Sequence, residues 1–385
     1  MIQFPSKQPN IQTTIFTKMS QMAFEHGALN LSQGFPGFDC DPEIQELLRY
    51  YSKGHNQYAP MAGIPELRNS IAMKTKAFYD IDLDPNTEIT VVSGATEAIF
   101  AAIHCCVHAG DEVIMFDPSY DAYDPIVRLA GGVPIHIPLE SSKGYRINFD
   151  DLKTKLSPKT RVIMVNTPHN PTGSIWEMDD LQSLAELVKG TDILIVSDEV
   201  YEHIVFDGKQ HASVILHEEL WKRSFICGSF GKTYHITGWK MGYSLAPAYL
   251  TAEFRKLHQW VTFSSATPLQ HVLADILQKP THYLELAAFY QKKRDLFAKA
   301  LQGSRWKILP SQGSFFQCLD YSEISNENDI QLAERLTKEI KVASIPISGF
   351  YETPPKDKIL RFCFAKTDEM LLDAASRLRE VESKK

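Results

Sequence analysis

Lys232 and Lys240 open the chemical reading of this chain. Both lie in GSFGKTYHITGWKMGY, residues 228–243, a stretch without a regular apolar period. A lysine that attacks a carbonyl must be unprotonated, and burial or a nearby fixed cation lowers its pKa toward neutrality. A second lysine can instead hold an anion such as phosphate. Gly231-Lys232-Thr233 has the ending of a phosphate-cradling P-loop, but that pattern needs a glycine at position 226, where Ile226 stands. Gly228 comes too late to replace it, so a nucleotide triphosphatase is the weaker reading of this segment.

Other reactive side chains follow apolar runs. Ser93-Gly94-Ala95-Thr96 follows EITVV and precedes a helical pattern, a turn whose free N–H groups can hold an anion. Tyr120 follows EVIMF and offers a ring that could stack on a planar ligand. Asn170-Pro171 follows RVIMV in a turn that can aim an amide at a ligand. Asp198 closes ILIVS with Tyr201 just beyond, and a carboxylate there needs a cationic or hydrogen-bonding partner. Ser229 follows RSFIC. Each has a bland reading as a cap, a turn or simple packing; their convergence argues for one site.

The elements that must position these groups alternate. Strand-like EITVV, EVIMF, RVIMV, ILIVS, RSFIC and MGYSLA are interleaved with helix-length TEAIFAAIHCCVH, AYDPIVRLAGG and LQSLAELVKG. Such alternation predicts an α/β fold with a mostly parallel, doubly wound sheet, in which ligands gather beyond the carboxyl ends of the strands. Beyond Pro280 the pattern becomes a long helix near 283–301, short strands at SFFQCLD, VASIP and ILRFCFA, and helices at DIQLAERLTKE and EMLLDAASRLREV. That predicts a smaller α+β domain. The expected division is an N-terminal segment 1–40 packing with the small domain, a large domain 41–280 and a small domain 281–385.

Composition sets limits. The chain has 385 residues, 44% of them hydrophobic, enough for a large core, and a net charge of -7 without an arm of like charges beyond Lys384-Lys385. Small molecules are the expected partners, with no nucleic acid. Cys40, Cys105, Cys106, Cys227, Cys318 and Cys363 show no paired metal spacing, so no zinc or other metal is expected, and free thiols suit a reducing compartment. No apolar run reaches membrane-spanning length, and the N-terminus lacks a secretory pattern, so a cytoplasmic location is expected.

Asn170-Pro171-Thr172-Gly173, Asp198-Glu199-Val200-Tyr201, and Ser229-Phe230-Gly231-Lys232 followed by Gly238-Trp239-Lys240-Met241-Gly242 resemble, in order and spacing, the fold-type I pyridoxal-phosphate aminotransferases of classes I and II. NLSQGFPGF at 30–38, NQYAPMAGIPELR at 56–68 and LRFCFAK at 360–366 are similar to the branch with kynurenine/glutamine transaminases and bacterial methionine aminotransferases. The resemblance implies pyridoxal 5'-phosphate as cofactor. It makes Lys232 the covalent attachment point and then the proton-moving acid and base, with Lys240 on the phosphate.

By the same resemblance, Asp198 pairs with the pyridine nitrogen, Tyr201 and Asn170 face the ring's phenolic oxygen, and Tyr120 stacks on the ring. Ala95, Thr96 and Ser229 join Lys240 on the phosphate. Tyr58 reaches the phosphate from a neighbouring subunit, implying a homodimer with shared sites. Arg361, set in ILRFCFA on the face opposite Leu360, Phe362 and Phe364, becomes the clamp for the substrate carboxylate, aided by the Gly34 N–H. A structural ion pair is its alternative.

Phe16, Tyr58, Tyr120 and Phe263 match positions lining an apolar, aromatic side-chain pocket. Ser264 stands where some relatives have histidine, and Phe16 where some have tryptophan. Methionine is thus the first choice of amino donor. A kynurenine/glutamine transaminase, a cysteine-S-conjugate β-lyase and, remotely, a non-PLP phosphate-binding or regulatory protein are the alternatives. Regulators on this fold carry an added N-terminal DNA-binding domain, for which the segment before the first glycine motif has no room.

Overall fold

Seven strands pair into one central sheet: β1 (Ile89–Val92), β2 (Glu112–Asp117), β3 (Val133–Pro138), β4 (Thr160–Asn166), β5 (Leu194–Asp198), β6 (Ser224–Ser229) and β7 (Gly242–Leu245). The structure, a computed structural model, describes residues 4–9, 11 and 13–381. Residues 1–3, 10, 12 and 382–385, including the Lys384-Lys385 pair, lie outside the described residues. The strand order is β1-β7-β6-β5-β4-β2-β3, and all neighbours run parallel except β7, which is antiparallel to β1 and β6.

Both faces of the sheet are covered, which is why the middle of β4, VIMV, and the start of β5, LIV, read as unbroken apolar runs. Alternation along the strands divides the core. Val113, Met115, Val162, Val196 and Phe225 pack with Ile99 and Ala102 of helix Ala95–Cys106 and with Phe254 of Ala248–Val261. Ile114, Ile163, Ile195 and Ile226 belong to the opposite core, with Leu181 and Leu184 of helix Met178–Val188 and Leu273 of Thr267–Ile276.

β3 is an element the apolar-run reading missed. Its sequence VPIHIP carries two prolines, which remove ladder donors and suggest a turn. The strand is tolerated because it lies at the sheet edge, bonded only to β2.

The C-terminal third forms an antiparallel four-stranded sheet in the order Ile345–Pro346, Ile359–Cys363, Phe316–Asp320, Lys307–Ile308. The single strand expected at VASIP is two short strands. Val342–Ala343 leaves to pair in parallel with Leu29–Asn30, while Ile345–Pro346 stays in the sheet. That pairing joins the N-terminal segment to the C-terminal third, and Lys18 of helix Ile15–Glu25 reinforces it through Glu334 of helix Asp329–Glu339 at 2.7 Å. Among the described residues no helix is long and apolar enough to cross a membrane.

Candidate active site

The carboxyl ends of β1, β4, β5 and β6 open onto a cleft lined by Ala95, Thr96, Tyr120, Asn170, Asp198, Tyr201, Ser229, Lys232 and Lys240 together with Gly94, Asn166 and other neighbours. At one end, helix Ala95–Cys106 starts without a side-chain cap, leaving first-turn N–H groups that the helix cannot satisfy internally. Gly94 turns into it at φ 81°, and a Cβ there would stand 3.4 Å from the Lys240 ammonium. Lys240 itself sits in the left-handed region at φ 53°. Gly242 is required here as well, because a Cβ would lie 2.9 Å from the Ala95 nitrogen. Ser229 caps the short helix Phe230–Thr233, its hydroxyl accepting from the Gly231 N–H at 3.2 Å. One helix start, one hydroxyl and one ammonium therefore converge into a cup for an anion.

Lys232 projects from that short helix and donates from Nζ to the Gly34 carbonyl at 2.7 Å. Burial lowers its pKa to about 8; Arg361 and Lys240 push in the same direction, against Cys363 and Asp198. Of the two causes open from sequence, burial leads, and among the cations Arg361 contributes ahead of Lys240. About a tenth of the amine is then free at pH 7, far more than for an ordinary lysine.

Asp198 ends β5 in register with Asn166 of β4. Burial pushes its pKa up to about 6, opposed by the Tyr123 hydroxyl at 2.5 Å and the Val200 N–H at 3.3 Å. It makes no ion pair within 4.0 Å among the described residues. Such a carboxylate is suited to a cation arriving from the cleft. Tyr201 is buried with its ring edge-on to Phe315 at 5.0 Å. Tyr120 interacts with Thr96, and burial raises its phenol to about 12.

Arg361 is 0% exposed. It donates to Asn170 Oδ1 at 2.9 Å and to the Ser32 carbonyl, and its Nε is buried without a partner. Phe316, Phe350 and Phe16 surround the guanidinium at 4.1, 5.1 and 5.2 Å from Cζ to ring centre. Burial lowers its pKa to about 10. No acid pairs with it among the described residues, so the structural ion pair that competed for this arginine is absent. A buried guanidinium with spare donors is built to receive a planar anion.

The sequence profile described as "Aminotransferase class I and II" matches residues 27–378. The chain belongs to the class I and II aminotransferases. The methionine aminotransferase of Escherichia coli (strain K12) is 48% identical over 378 residues, 98% of each chain. Kynurenine--oxoglutarate transaminase 3 of Rattus norvegicus is 34% identical, covering 96% of this chain and 88% of its own. A solved Escherichia coli structure, described as identifying a methionine aminotransferase function, superposes with a TM-score of 0.97 at 47% identity, covering 99% of this chain and all of that one. The fold is that of the fold-type I PLP-dependent transferases.

Within this aminotransferase chain two expected site residues lie apart from the cleft. Tyr58 is 85% exposed and Phe263 43% exposed, packed edge-on to each other at 5.4 Å on the surface. Phe16 joins Arg361, and Gly34 approaches Lys232 through its carbonyl. Gly34 must remain glycine, since a Cβ would meet the Phe316 ring at 2.8 Å.

Tyr123 and Asn166 escaped the sequence reading. Asn166 donates to the Asp198 carbonyl at 3.0 Å and accepts from the Asn170 N–H at 3.0 Å, joining two strand ends. Its position at the end of RVIMVN was the available signal; nothing in the sequence distinguished Tyr123 from Tyr120. All six cysteines are free. Asp124, His136 and Glu352 bring ligand-type atoms within 4.8 Å of one another. Arg128 already grips Asp124 at 2.6 and 2.9 Å and lies 3.7 Å from Glu352, supplying the positive charge there.

Proposed function

We propose that this aminotransferase uses pyridoxal 5'-phosphate to move the α-amino group of methionine, and of other large apolar or aromatic amino acids, to a 2-oxo acid. The observation that carries the reading is the fully buried Arg361, which has no acid partner and holds an unsatisfied Nε. Such an arginine calls for a substrate carboxylate.

The cleft fits the cofactor. The first turn of helix Ala95–Cys106, Ser229 and Lys240 form a cup for its phosphate, Asp198 is a buried carboxylate for its ring nitrogen, and Lys232 is a low-pKa amine for its aldehyde. When bound, pyridoxal phosphate supplies the aldehyde that takes the amino group and a ring that accepts the electron pair of the substrate Cα. Lys232 would hold the cofactor through its amine and is placed to take and return the proton at the substrate Cα. Asp198 keeps the ring nitrogen protonated. Tyr201 and Asn170 orient the ring oxygen, and Tyr120 covers the ring face. Arg361 holds the carboxylate while Phe16 and Phe350 exclude water beside it.

Methionine is preferred because a relative 48% identical over nearly its full length is named for it and because the groups around Arg361 are aromatic. Tyr58 and Phe263, exposed in the single chain, suit a homodimer that completes each site across the interface. A cytoplasmic location accords with the free thiols.

The test is a single-turnover reaction with L-methionine and no acceptor. The expected products are the 2-oxo acid and the aminated cofactor in equal amounts. Ammonia and pyruvate as the main products from natural amino acids would replace this reading with a β-lyase. Protein that stays colourless after incubation with pyridoxal phosphate would overturn it altogether.

A further inference from the structure

Two turns from distant parts of the chain meet beside Arg361. One follows β2 and carries Tyr120; the other, Ile347–Phe350 and the residues after it, carries Phe350. The Ser119 N–H donates to the Phe350 carbonyl at 2.7 Å, and the Glu352 N–H donates to Asp117 Oδ2 at 2.9 Å. These two bonds clip the turns together on either side of Tyr351. The second turn is also tied to helix Asp329–Glu339, because Ser348 donates its N–H and hydroxyl to the Asp329 carboxylate at 2.7 and 2.8 Å. Phe350, edge-on to Phe16 at 5.4 Å and 5.1 Å from Arg361, is thereby held from both sides.

Asp117 is the hub of the clip. It is 2% exposed, and its other oxygen accepts from the Ser119 hydroxyl at 3.0 Å and from His136 Nδ1 at 2.8 Å. His136 stands on β3, with Nε2 facing Asp124 at 3.0 Å. The charged groups around it are Asp117 from β2, Asp124 and its partner Arg128 from helix Tyr123–Leu129, and Glu352 from the second turn. His169, behind Asp117, is held neutral by burial, which pushes it down to about 4.

We infer that Asp117 and His136 are positioning residues for amino-acid binding, acting through the backbone clip on Phe350 and so on the aromatic wall around Arg361. The inference rests on Arg361 being the carboxylate site. Three donors converge on the two Asp117 oxygens, and an amide in its place offers a single acceptor oxygen, so one donor would be lost. Burial works against charge on His136, yet its hydrogen bonds to Asp117 and Asp124 outweigh burial and push it up to about 9. At neutral pH the imidazolium therefore holds one Asp117 oxygen and leaves the other turned toward the Glu352 N–H. Neither residue lines the cleft around Lys232, so their effect falls on substrate affinity and leaves the chemical step alone.

The test uses the holoenzyme with Asp117→Asn and, separately, the milder His136→Gln. Steady-state constants are measured with L-methionine, and a dissociation constant with 4-(methylthio)butanoate, a carboxylate lacking the amine. Both KM and the dissociation constant should rise about tenfold while kcat stays within about threefold, the pattern of lost ground-state binding. The resting spectrum should be unchanged. Unaltered affinity for both compounds in the two variants overturns the inference, as does a loss confined to kcat. If Asp117→Asn does not fold, His136→Gln decides by the same criterion. Arg361→Lys, assayed in parallel, separates the two levels: if it too leaves affinity unchanged, the carboxylate assignment itself has failed, whereas a crippled Arg361→Lys beside normal Asp117 and His136 variants removes only the clip.

Discussion

Tyr123 donates its phenolic hydrogen to Oδ2 of Asp198 across 2.5 Å, joining the helix after β2 to the end of β5 inside a fully buried environment. A donor on the ionised form of a carboxylate favours that form, so Tyr123 opposes the burial that raises Asp198. Tyr123→Phe is expected to lower kcat by roughly tenfold, the worth of one hydrogen bond to a charged group, with KM for amino acids little changed. The acid limb of the kcat profile should also move toward neutral pH. A variant with normal kcat and an unmoved profile would reduce Tyr123 to a packing residue.

The raised Asp198 has a consequence for the cofactor-free protein. Its folded pKa, about 6, lies above the ordinary 3.8, so the native state binds more protons than the unfolded chain between those values. This contribution to stability is fully present below pH 3.8 and is lost as pH rises through about 6. Asp198→Asn should therefore flatten that part of the stability curve and stabilise the apoprotein at neutral pH by up to about 3 kcal/mol, while abolishing efficient transamination. Urea titrations of both apoproteins across this range measure the difference; parallel curves would show that Asp198 is not desolvated in solution.

Lys232 titrates in the opposite sense. Burial lowers it from 10.5 to about 8, so the unfolded chain binds the extra proton between those values and the apoprotein gains stability as pH rises through that window. The same shift controls capture of the cofactor aldehyde. The rate of covalent attachment of pyridoxal phosphate should rise about tenfold per pH unit below pH 8 and level off above it, tracking the free amine. Stopped-flow absorbance follows this directly, and a midpoint near that of an exposed lysine would contradict the buried setting.

The residues legible in the sequence are those that interrupt apolar strands with chemistry at their ends. Asp198 after ILIVS, Asn170 after RVIMV and Lys232 after RSFIC stand out because a parallel sheet gathers strand ends on one edge. Arg361 was legible as a charge inside ILRFCFA. The partners were not. Tyr123 meets Asp198 across 75 positions and Asn170 meets Arg361 across 191, separations that leave no local pattern. Phe316 and Phe350 read as ordinary core residues until Arg361 is placed between them. β3 was hidden by prolines that an edge strand accommodates.

Tyr58 yields a prediction about assembly. At 85% exposure in one chain, it lies free to meet a second copy. If it reaches the partner's phosphate cup, inactive Lys232→Ala subunits with intact Tyr58 should restore tight cofactor binding to the Lys232-bearing sites of Tyr58→Ala subunits when mixed dimers form. Dissociation of pyridoxal phosphate, measured before and after dimer exchange, reads the effect. Mixed dimers no tighter than the Tyr58→Ala parent would deny the shared site.

Arg361 supports the sharpest prediction. Its charge is fixed in a dry cage of Phe16, Phe316 and Phe350, with Asn170 and the Ser32 carbonyl orienting the planar fork. Lysine at this position keeps the charge and loses the fork, so Arg361→Lys should leave the cofactor bound and the protein yellow while weakening every amino-acid substrate. Loss of a bidentate charged contact removes on the order of 2 to 4 kcal/mol of transition-state binding, roughly 30-fold to 1000-fold in kcat/KM. Amines without a carboxylate should change little, because their reaction never draws on the guanidinium. The deciding measurement is kcat/KM for methionine beside the resting spectrum. Near-normal efficiency, or a defect limited to one side-chain class, would assign the carboxylate to another group and leave the buried, unpaired Nε of Arg361 without a purpose.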